Sequence, residues 1–165
     1  MRPTMSDETT RLEIRPAVSQ DYEVLRDLFT HLIPNDLAMT DDRGRAALNG
    51  MLSHPGLTTL IGFHDGVAAA TCTLIVIPNF TRGGAPYAVI ENVVTRKDYR
   101  GKGLGEQLLR HAQDLAWASG CYKVMLLTGA DNHGAQRFYE KVGFKQSKTG
   151  YQIRAPGYPK RAMKE

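Results

Sequence analysis

Apolar residues along this chain switch between two spacings, and the switches mark its elements. Arg11-Leu12-Glu13-Ile14-Arg15-Pro16 alternates polar and apolar, which predicts a first strand with one face buried. Tyr22, Leu25, Leu28, Phe29 and Leu32 then recur at helical spacing; Asp21 stands where that helix opens and Pro34 ends it. A second helix is predicted over 39–51, with Thr40 as N-cap and Asp41 and Asp42 in its first turn; Gly44 and Gly50 count against it.

Two apolar runs, Leu57–His64 and Val67–Ile77, flank the tight-hairpin signal Asp65-Gly66. After a polar, glycine-bearing loop over 78–86, Tyr87–Thr95 reads as a fourth strand rich in β-branched residues. Leu104, Leu108, Leu109, Ala112, Leu115, Ala116 and Ser119 form one face of a helix, and Gly120 fits its left-handed end. A fifth strand is predicted over Tyr122–Thr128. Its core, Val124-Met125-Leu126-Leu127, is continuously apolar, as in a strand covered on both faces. Asp131 or Asn132 opens a short helix to Val142. Gly143 caps that helix, and Phe144 packs back near Tyr139. Two closing strands, Phe144–Ser147 and Tyr151–Arg154, precede an irregular end. Residues 1–10 read as a flexible polar leader, and 11–165 as a single α/β domain.

Composition narrows the class. A chain of 165 residues is long enough for one core and short for two. With 42% hydrophobic and 23% charged residues it has the balance of a soluble globular domain. No run approaches the roughly 18 apolar residues of a membrane span, and the first ten residues carry no apolar signal core. A cytoplasmic protein without a membrane partner is expected. Cys72 and Cys121 sit in apolar surroundings and read as buried free thiols. The five histidines lack ligand spacing, so no metal is expected. The net charge of +4 divides into −4 over 1–95, +2 over 96–140 and +6 over 141–165. The basic end lacks aromatic–basic interleaving and a helix-turn-helix pattern, so nucleic acid is set aside as a partner.

Candidate chemistry concentrates where the fourth strand meets the third helix. The run Val93-Val94-Thr95-Arg96-Lys97-Asp98-Tyr99-Arg100-Gly101-Lys102-Gly103-Leu104-Gly105 passes from strand through a basic, glycine-rich turn into a helix. The first N–H groups of a helix lack intrahelical partners and lie at the positive end of its dipole. Glycines at 101, 103 and 105 admit an anion close to the backbone, and Arg100 and Lys102 add charge, so a phosphate or pyrophosphate is the expected ligand. No Gly-Lys-Ser/Thr ends the turn, which excludes a P-loop. The glycine spacing and the lack of a following acidic residue exclude a dinucleotide fingerprint.

The spacing of Arg100, Gly103 and Gly105 resembles the acetyl-CoA pyrophosphate loop of the GNAT superfamily of N-acetyltransferases. A second block resembles the same family: Asn132-x-x-Ala135-x-x-Phe138-Tyr139-Glu140-Lys141-x-Gly143-Phe144. The opening Ile14-Arg15-Pro16-Ala17 does so too. Ile90–Val94, Tyr99–Gly105 and Gly120–Lys123 are similar to stretches of glucosamine-6-phosphate N-acetyltransferases, which usually carry an acidic residue where Asn92 stands.

The resemblance implies a GNAT fold: a mixed, mainly antiparallel sheet of six to seven strands, about four helices, and splayed fourth and fifth strands. It implies acetyl transfer from acetyl-CoA, as co-substrate, to a primary amine by direct attack in a ternary complex. No Ser-His-Asp or Cys-His arrangement is needed for that. Backbone N–H groups of Arg100, Gly101, Lys102, Gly103, Leu104 and Gly105 would hold the pyrophosphate. Val93, Val94 and Thr95 would pair with the pantetheine amides, although the Val93 and Val94 side chains also suit the core. Asn132 would bond the pantetheine arm or cap its helix. Tyr139 would act as general acid toward the CoA thiolate, against the plain alternative of a ring packed under the helix end.

Glu91, a carboxylate in a strand beside the splay, is a candidate for removing the amine proton through water; a structural hydrogen-bonding role remains open. A small-molecule amine is favoured over a protein acceptor. Dimerisation is a habit of the family. A non-catalytic acyl-CoA-binding regulatory module and a protein-modifying acetyltransferase are the competing readings.

Overall fold

A computed structural model describes residues 10–159. The expected leader lies outside the described residues except for Thr10. Five strands and four helices follow in chain order: β1 (Glu13–Pro16), α1 (Tyr22–Leu32), α2 (Asp41–Ser53), β2 (Leu57–His64), β3 (Val67–Ile77), β4 (Tyr87–Thr95), α3 (Leu104–Ala118), β5 (Val124–Met125) and α4 (His133–Val142). The sheet order is β1-β2-β3-β4-β5, antiparallel throughout except for the parallel β4–β5 pair.

Both faces of the sheet are covered, which explains why β2 and β3 read as continuous apolar runs rather than alternations. Leu60 and Ile61 are adjacent in β2 and point to opposite cores. Leu60 joins Cys72, Leu74, Ile90 and the α3 residues Leu104, Leu108, Leu109, Ala112 and Ala116. Ile61 joins Tyr22, Leu25 and Leu28 of α1, Leu48 of α2 and Val94. The α3 face matches the predicted one except at Ser119, which is exposed and bonds the Leu115 carbonyl (2.9 Å). Asp65 and Gly66 both take positive φ (48° and 77°), as the predicted hairpin requires. Both cysteines are free and buried.

Gly44 has a packing reason for being in α2. A Cβ there would lie 2.4 Å from the Tyr22 hydroxyl oxygen, so α1 and α2 can cross this closely only at glycine. Thr40 caps α2 by accepting from the Arg43 N–H (3.4 Å). Asp21 has a different task from the helix cap its position suggests. Its carboxylate turns back to accept two bonds from Arg15 (2.7 and 2.8 Å) and one from the Val18 N–H (2.8 Å). The Arg15 guanidinium is the main cause that holds this buried carboxyl below its usual range, against the opposing effect of burial.

Asp21→Asn should therefore cost about 2 kcal/mol, the scale of hydrogen bonds to a charged group. A group with a lowered folded-state pKa stabilises fully above its unfolded value, about 3.9 for Asp, and that stabilisation is lost as pH falls through the folded value. Urea unfolding of parent and variant should differ at pH 7 and converge on acidification. A difference that persists in acid would show that packing, not the ion pair, carries the effect.

The sheet has five strands rather than six to seven. Neither Phe144–Ser147 nor Tyr151–Arg154 forms a strand among the described residues. β5 is also two residues long where seven were expected. It pairs with β4 only at Ala88/Val124 and Val89/Met125, and beyond that the two chains diverge and no ladder can continue. Its far side is an open sheet edge, so Val124 and Met125 are half-buried and Leu127 is exposed, in contrast to the doubly covered strand expected.

Candidate functional site

The divergence of β4 from β5 opens a cleft of about 1220 Å³. One wall is Val93, Val94 and Thr95; the other is Gly129 and the first turns of α4, from Asn132 to Tyr139. The glycine turn before α3 closes one end, and residues 31–35 after α1 complete the lining.

A bulge shapes the β4 wall. Thr73 faces Glu91 and Thr71 faces Val94, so Asn92 and Val93 together oppose Cys72 alone. One residue of the pair has no ladder partner, and the strand bends there. Asn92 takes φ 52°, which asparagine tolerates better than most residues because its short amide can bond locally. The bulge resets the strand's parity. Ile90 points into the α3 core, Val93 packs against that same core three positions on, and Val94 faces α1.

The turn has the geometry of an anion cradle. Gly101 and Gly103 take φ of 76° and 75°, and Gly103 is the N-cap of α3. The first helical bond runs from Gln107 N–H to the Gly103 carbonyl (3.2 Å), leaving the N–H groups of Leu104, Gly105 and Glu106 without intrahelical partners. Gly105 is needed for a close approach. A Cβ on it would lie 3.0 Å from Thr95 Oγ1 and 3.2 Å from Phe138 Cζ, so β4, α3 and α4 meet at this one hydrogen-sized side chain.

Charged side chains around the turn are largely committed to partners within the protein. Arg100 donates from Nε to the Thr95 carbonyl (3.1 Å) and from its terminal nitrogen to the His31 carbonyl (3.1 Å). Its guanidinium is thus a strut between β4, the turn and the end of α1, and what it offers an anion is its backbone. Lys102 lies over the Tyr99 ring, 5.0 Å from the centroid, and does not line the cleft. Glu106 places a carboxylate beside the cradle. Hydrogen bonds from Arg110 and Lys141 hold it below the usual carboxylate range and offset its charge. Arg96 bonds Asp27 and the Ala68 carbonyl, and so ties β4 to α1.

Asn132 caps α4, its Oδ1 accepting from the Ala135 N–H (3.1 Å), and also lines the cleft. Tyr139 lies about two helical turns further on, half-buried between Phe138 (centroids 5.3 Å apart) and Phe144 (6.1 Å). Gly143, at φ 106°, ends the helix, and the Phe144 N–H bonds the Tyr139 carbonyl (3.0 Å). Burial first, then the neighbouring Cys72 and Glu91, push the Tyr139 phenol above its ordinary value. Burial lifts the Cys72 thiol to about 12, so it carries no charge near neutrality.

Of the residues expected from sequence, the cleft gathers Val93, Val94, Thr95, Arg100, Gly101, Gly103, Leu104, Gly105, Asn132 and Tyr139. Glu91 is exposed and outside the lining; it communicates with the site through its charge on Tyr139. Sequence reasoning missed the 31–35 wall and the Glu106–Lys141 pair. The i,i+4 spacing of Glu106 and Arg110 was a readable signal; the contact with Lys141 was not, because it joins two helices.

The model of the acetyltransferase (GNAT) family matches residues 22–144. The chain is 32% identical over 136 residues to a glucosamine 6-phosphate N-acetyltransferase of Trypanosoma brucei brucei, covering 81% of this chain and 89% of that one. A solved structure from Agrobacterium tumefaciens, assigned as an acetyltransferase, is 44% identical with a TM-score of 0.84, over 87% of this chain and 99% of that one. An aminoglycoside N-acetyltransferase solved in complex with CoA shares the fold at 21% identity and a TM-score of 0.76, over 92% of this chain and 99% of that one.

Proposed function

Because the chain belongs to the acetyltransferase (GNAT) family and is an N-acetyltransferase, we propose that it moves the acetyl group of acetyl-CoA to a primary amine by direct attack in a ternary complex. The observation that carries this reading is the single cleft with an anion cradle at one end and Tyr139 on its wall. Acetyl-CoA supplies a thioester carbonyl as electrophile and a pyrophosphate as handle. The residues fit both. Positive-φ glycines and free helix N–H groups suit the pyrophosphate, and main-chain groups along Val93–Thr95 suit the pantetheine amides.

The bulge supports an oxyanion role for the main chain. An N–H at Asn92 or Val93 without a ladder partner is available to the thioester oxygen as it gains negative charge. The amine nitrogen attacks the carbonyl carbon, the carbon–sulfur bond breaks, and the sulfur leaves as thiolate. Tyr139 donates a hydrogen bond to that sulfur. Glu91 receives the proton the nitrogen loses, through water.

The acceptor we infer is a hydrophilic small amine, with amino-sugar phosphates first. The support is the 32% identity to the trypanosomal enzyme named for glucosamine 6-phosphate, which covers most of both chains. A screen that follows free-thiol release over amino sugars, their 6-phosphates, aminoglycosides and peptides tests it. Turnover confined to peptides would overturn the small-molecule assignment; no turnover with any amine would overturn the transferase reading.

Glu91→Gln is expected to lower kcat/KM for the amine by about 10²-fold, the lower range for a general base. An unchanged rate would assign Glu91 to structure.

A further inference from the structure

Two buried hydroxyls on the α1–α2 face of the sheet have no evident structural use. Thr59 of β2 and Thr73 of β3 are only 2% and 3% exposed, and among the described residues neither hydroxyl has a hydrogen-bond partner. Valine would fill the same shape and leave no polar atom behind. Thr71, on the same face of β3, shows how a buried threonine is ordinarily satisfied: its Oγ1 donates to the Leu60 carbonyl (2.7 Å). A buried polar group without a partner is destabilising, and here two lie side by side.

The strand register brings a partner next to them. Thr59 stands directly opposite Thr73, and Thr73 stands directly opposite Glu91. Opposed residues of antiparallel strands project from the same face, with Cβ atoms about 4.5–5.5 Å apart. Thr59, Thr73 and Glu91 therefore form one polar row across β2, β3 and β4. Leu57, Ile75 and Val89 make an apolar row on one side of it. Exposure rises along the polar row, from the two threonines in the core to Glu91 in solvent. At its outer end the row is close to the reaction centre, since the Glu91 charge is felt at the Tyr139 phenol.

Hydrogen-bond polarity sets the direction of the row. A carboxylate only accepts, so Thr73 must donate to Glu91, and the Thr73 oxygen is then free to accept from the Thr59 hydroxyl. A chain ordered this way satisfies both buried groups, and each bond polarises the next. Closing it takes side-chain rotation alone. We propose that Thr73 is a positioning residue for Glu91: with the amine in the cleft, the carboxylate turns in from solvent and accepts from Thr73, which Thr59 holds from behind. The amine displaces water from the carboxylate, and the Thr73 hydroxyl replaces it. The row ends in the core and has no outlet, so it fixes the carboxylate and does not carry a proton away. This role rests on the acetyl-transfer reading with Glu91 as base.

Steady-state thiol release tests it, with acetyl-CoA and the fastest amine of the screen, glucosamine 6-phosphate in the first instance. Thr73→Val should lower kcat about 10-fold, the lower range for a hydrogen bond to a charged group, and leave KM for acetyl-CoA unchanged. Thr73→Ser keeps the hydroxyl and should restore the rate to within about threefold of the parent. Thr59→Val removes a bond between neutral groups and should cause a loss of about threefold. In a Glu91→Gln background, Thr73→Val should add less than about twofold, because the two residues act as one unit. Thermal unfolding separates positioning from packing: Thr73→Val should melt no lower than the parent, since in the free protein it removes only an unpartnered hydroxyl. Parent kcat in Thr73→Val, an undiminished loss in the Glu91→Gln background, no rescue by serine, or a Tm that falls with the rate would each overturn the role alone. Parent activity in Glu91→Gln, or no turnover with any amine, would overturn the underlying reading and this role together.

Discussion

Replacing Tyr139 by phenylalanine is expected to lower kcat about 10- to 100-fold while leaving KM for acetyl-CoA close to the parent value, the equivalent of about 1.5–3 kcal/mol for a hydrogen bond to a charged group. The size of the effect separates two roles. With reference values near 10 for a phenol and 8.5 for a thiol, full proton transfer to the leaving thiolate is uphill by about 2 kcal/mol. Burial of Tyr139 and the nearby Glu91 raise the phenol further, so the transfer becomes steeper. On the proposed mechanism the hydroxyl would serve as a hydrogen-bond donor that stays protonated through the neutral and mildly alkaline range, with the proton following only after sulfur has left. A loss of 10³-fold or more would mean that proton delivery itself limits the rate. The pH profile gives a second reading. In the parent, the Tyr139 hydroxyl is lost only above its ordinary titration range, so kcat should hold across pH 7–9, roughly a unit below the reference phenol value. Free-thiol release under saturating acetyl-CoA measures both. Unaltered kcat in Tyr139→Phe would remove the residue from the chemistry and leave it as the ring that packs between Phe138 and Phe144.

What sequence could reveal was local. The glycine turn announces itself because an anion cradle needs small residues, basic charge and a helix start within a few positions, and Arg100–Gly105 supplies all three. Asn132, Tyr139 and Gly143 are legible for the same reason: cap, helix face and left-handed end fall at fixed offsets. The bulge at Asn92 left no such trace. It depends on how two β4 residues oppose Cys72, and register across strands is not written in either strand alone. The same limit explains the Arg100 strut, whose acceptors lie on β4 and at the end of α1. The missing closing strands are more instructive. Tyr151–Arg154 has a strand's alternation but forms no strand among the described residues, because alternation alone does not supply an edge to pair with. Glu91 shows the converse: its position in a strand suggested a costly buried carboxylate, yet the divergence of β4 from β5 leaves it exposed.

Gly105→Ala should weaken CoA binding about 10- to 100-fold and destabilise the fold by about 1–3 kcal/mol, the range for overpacking a close contact. Helix propensity alone points the other way, since Ala is favoured over Gly by about 1 kcal/mol inside a helix. Gly50 shows that favourable case. It lies within α2 with no neighbour inside 4 Å of an added Cβ, so Gly50→Ala should stabilise by about 0.4–1 kcal/mol. At Gly105 sterics win, because the new carbon meets Thr95 Oγ1 at 3.0 Å and Phe138 Cζ at 3.2 Å. The Thr95 hydroxyl or the Phe138 ring must shift by a few tenths of an ångström, and both residues line the cleft. Gly101 separates this wedge from simple strain. A Cβ there has open space, but φ is 76°, so Gly101→Ala costs about 1–2 kcal/mol through the backbone of the turn without touching β4 or α4. Calorimetric titration with CoA and thermal unfolding of the three variants distinguish the cases. Gly105→Ala binding CoA like the parent would show that the cradle tolerates separation of its walls, and the close meeting of β4, α3 and α4 would then be a matter of packing alone.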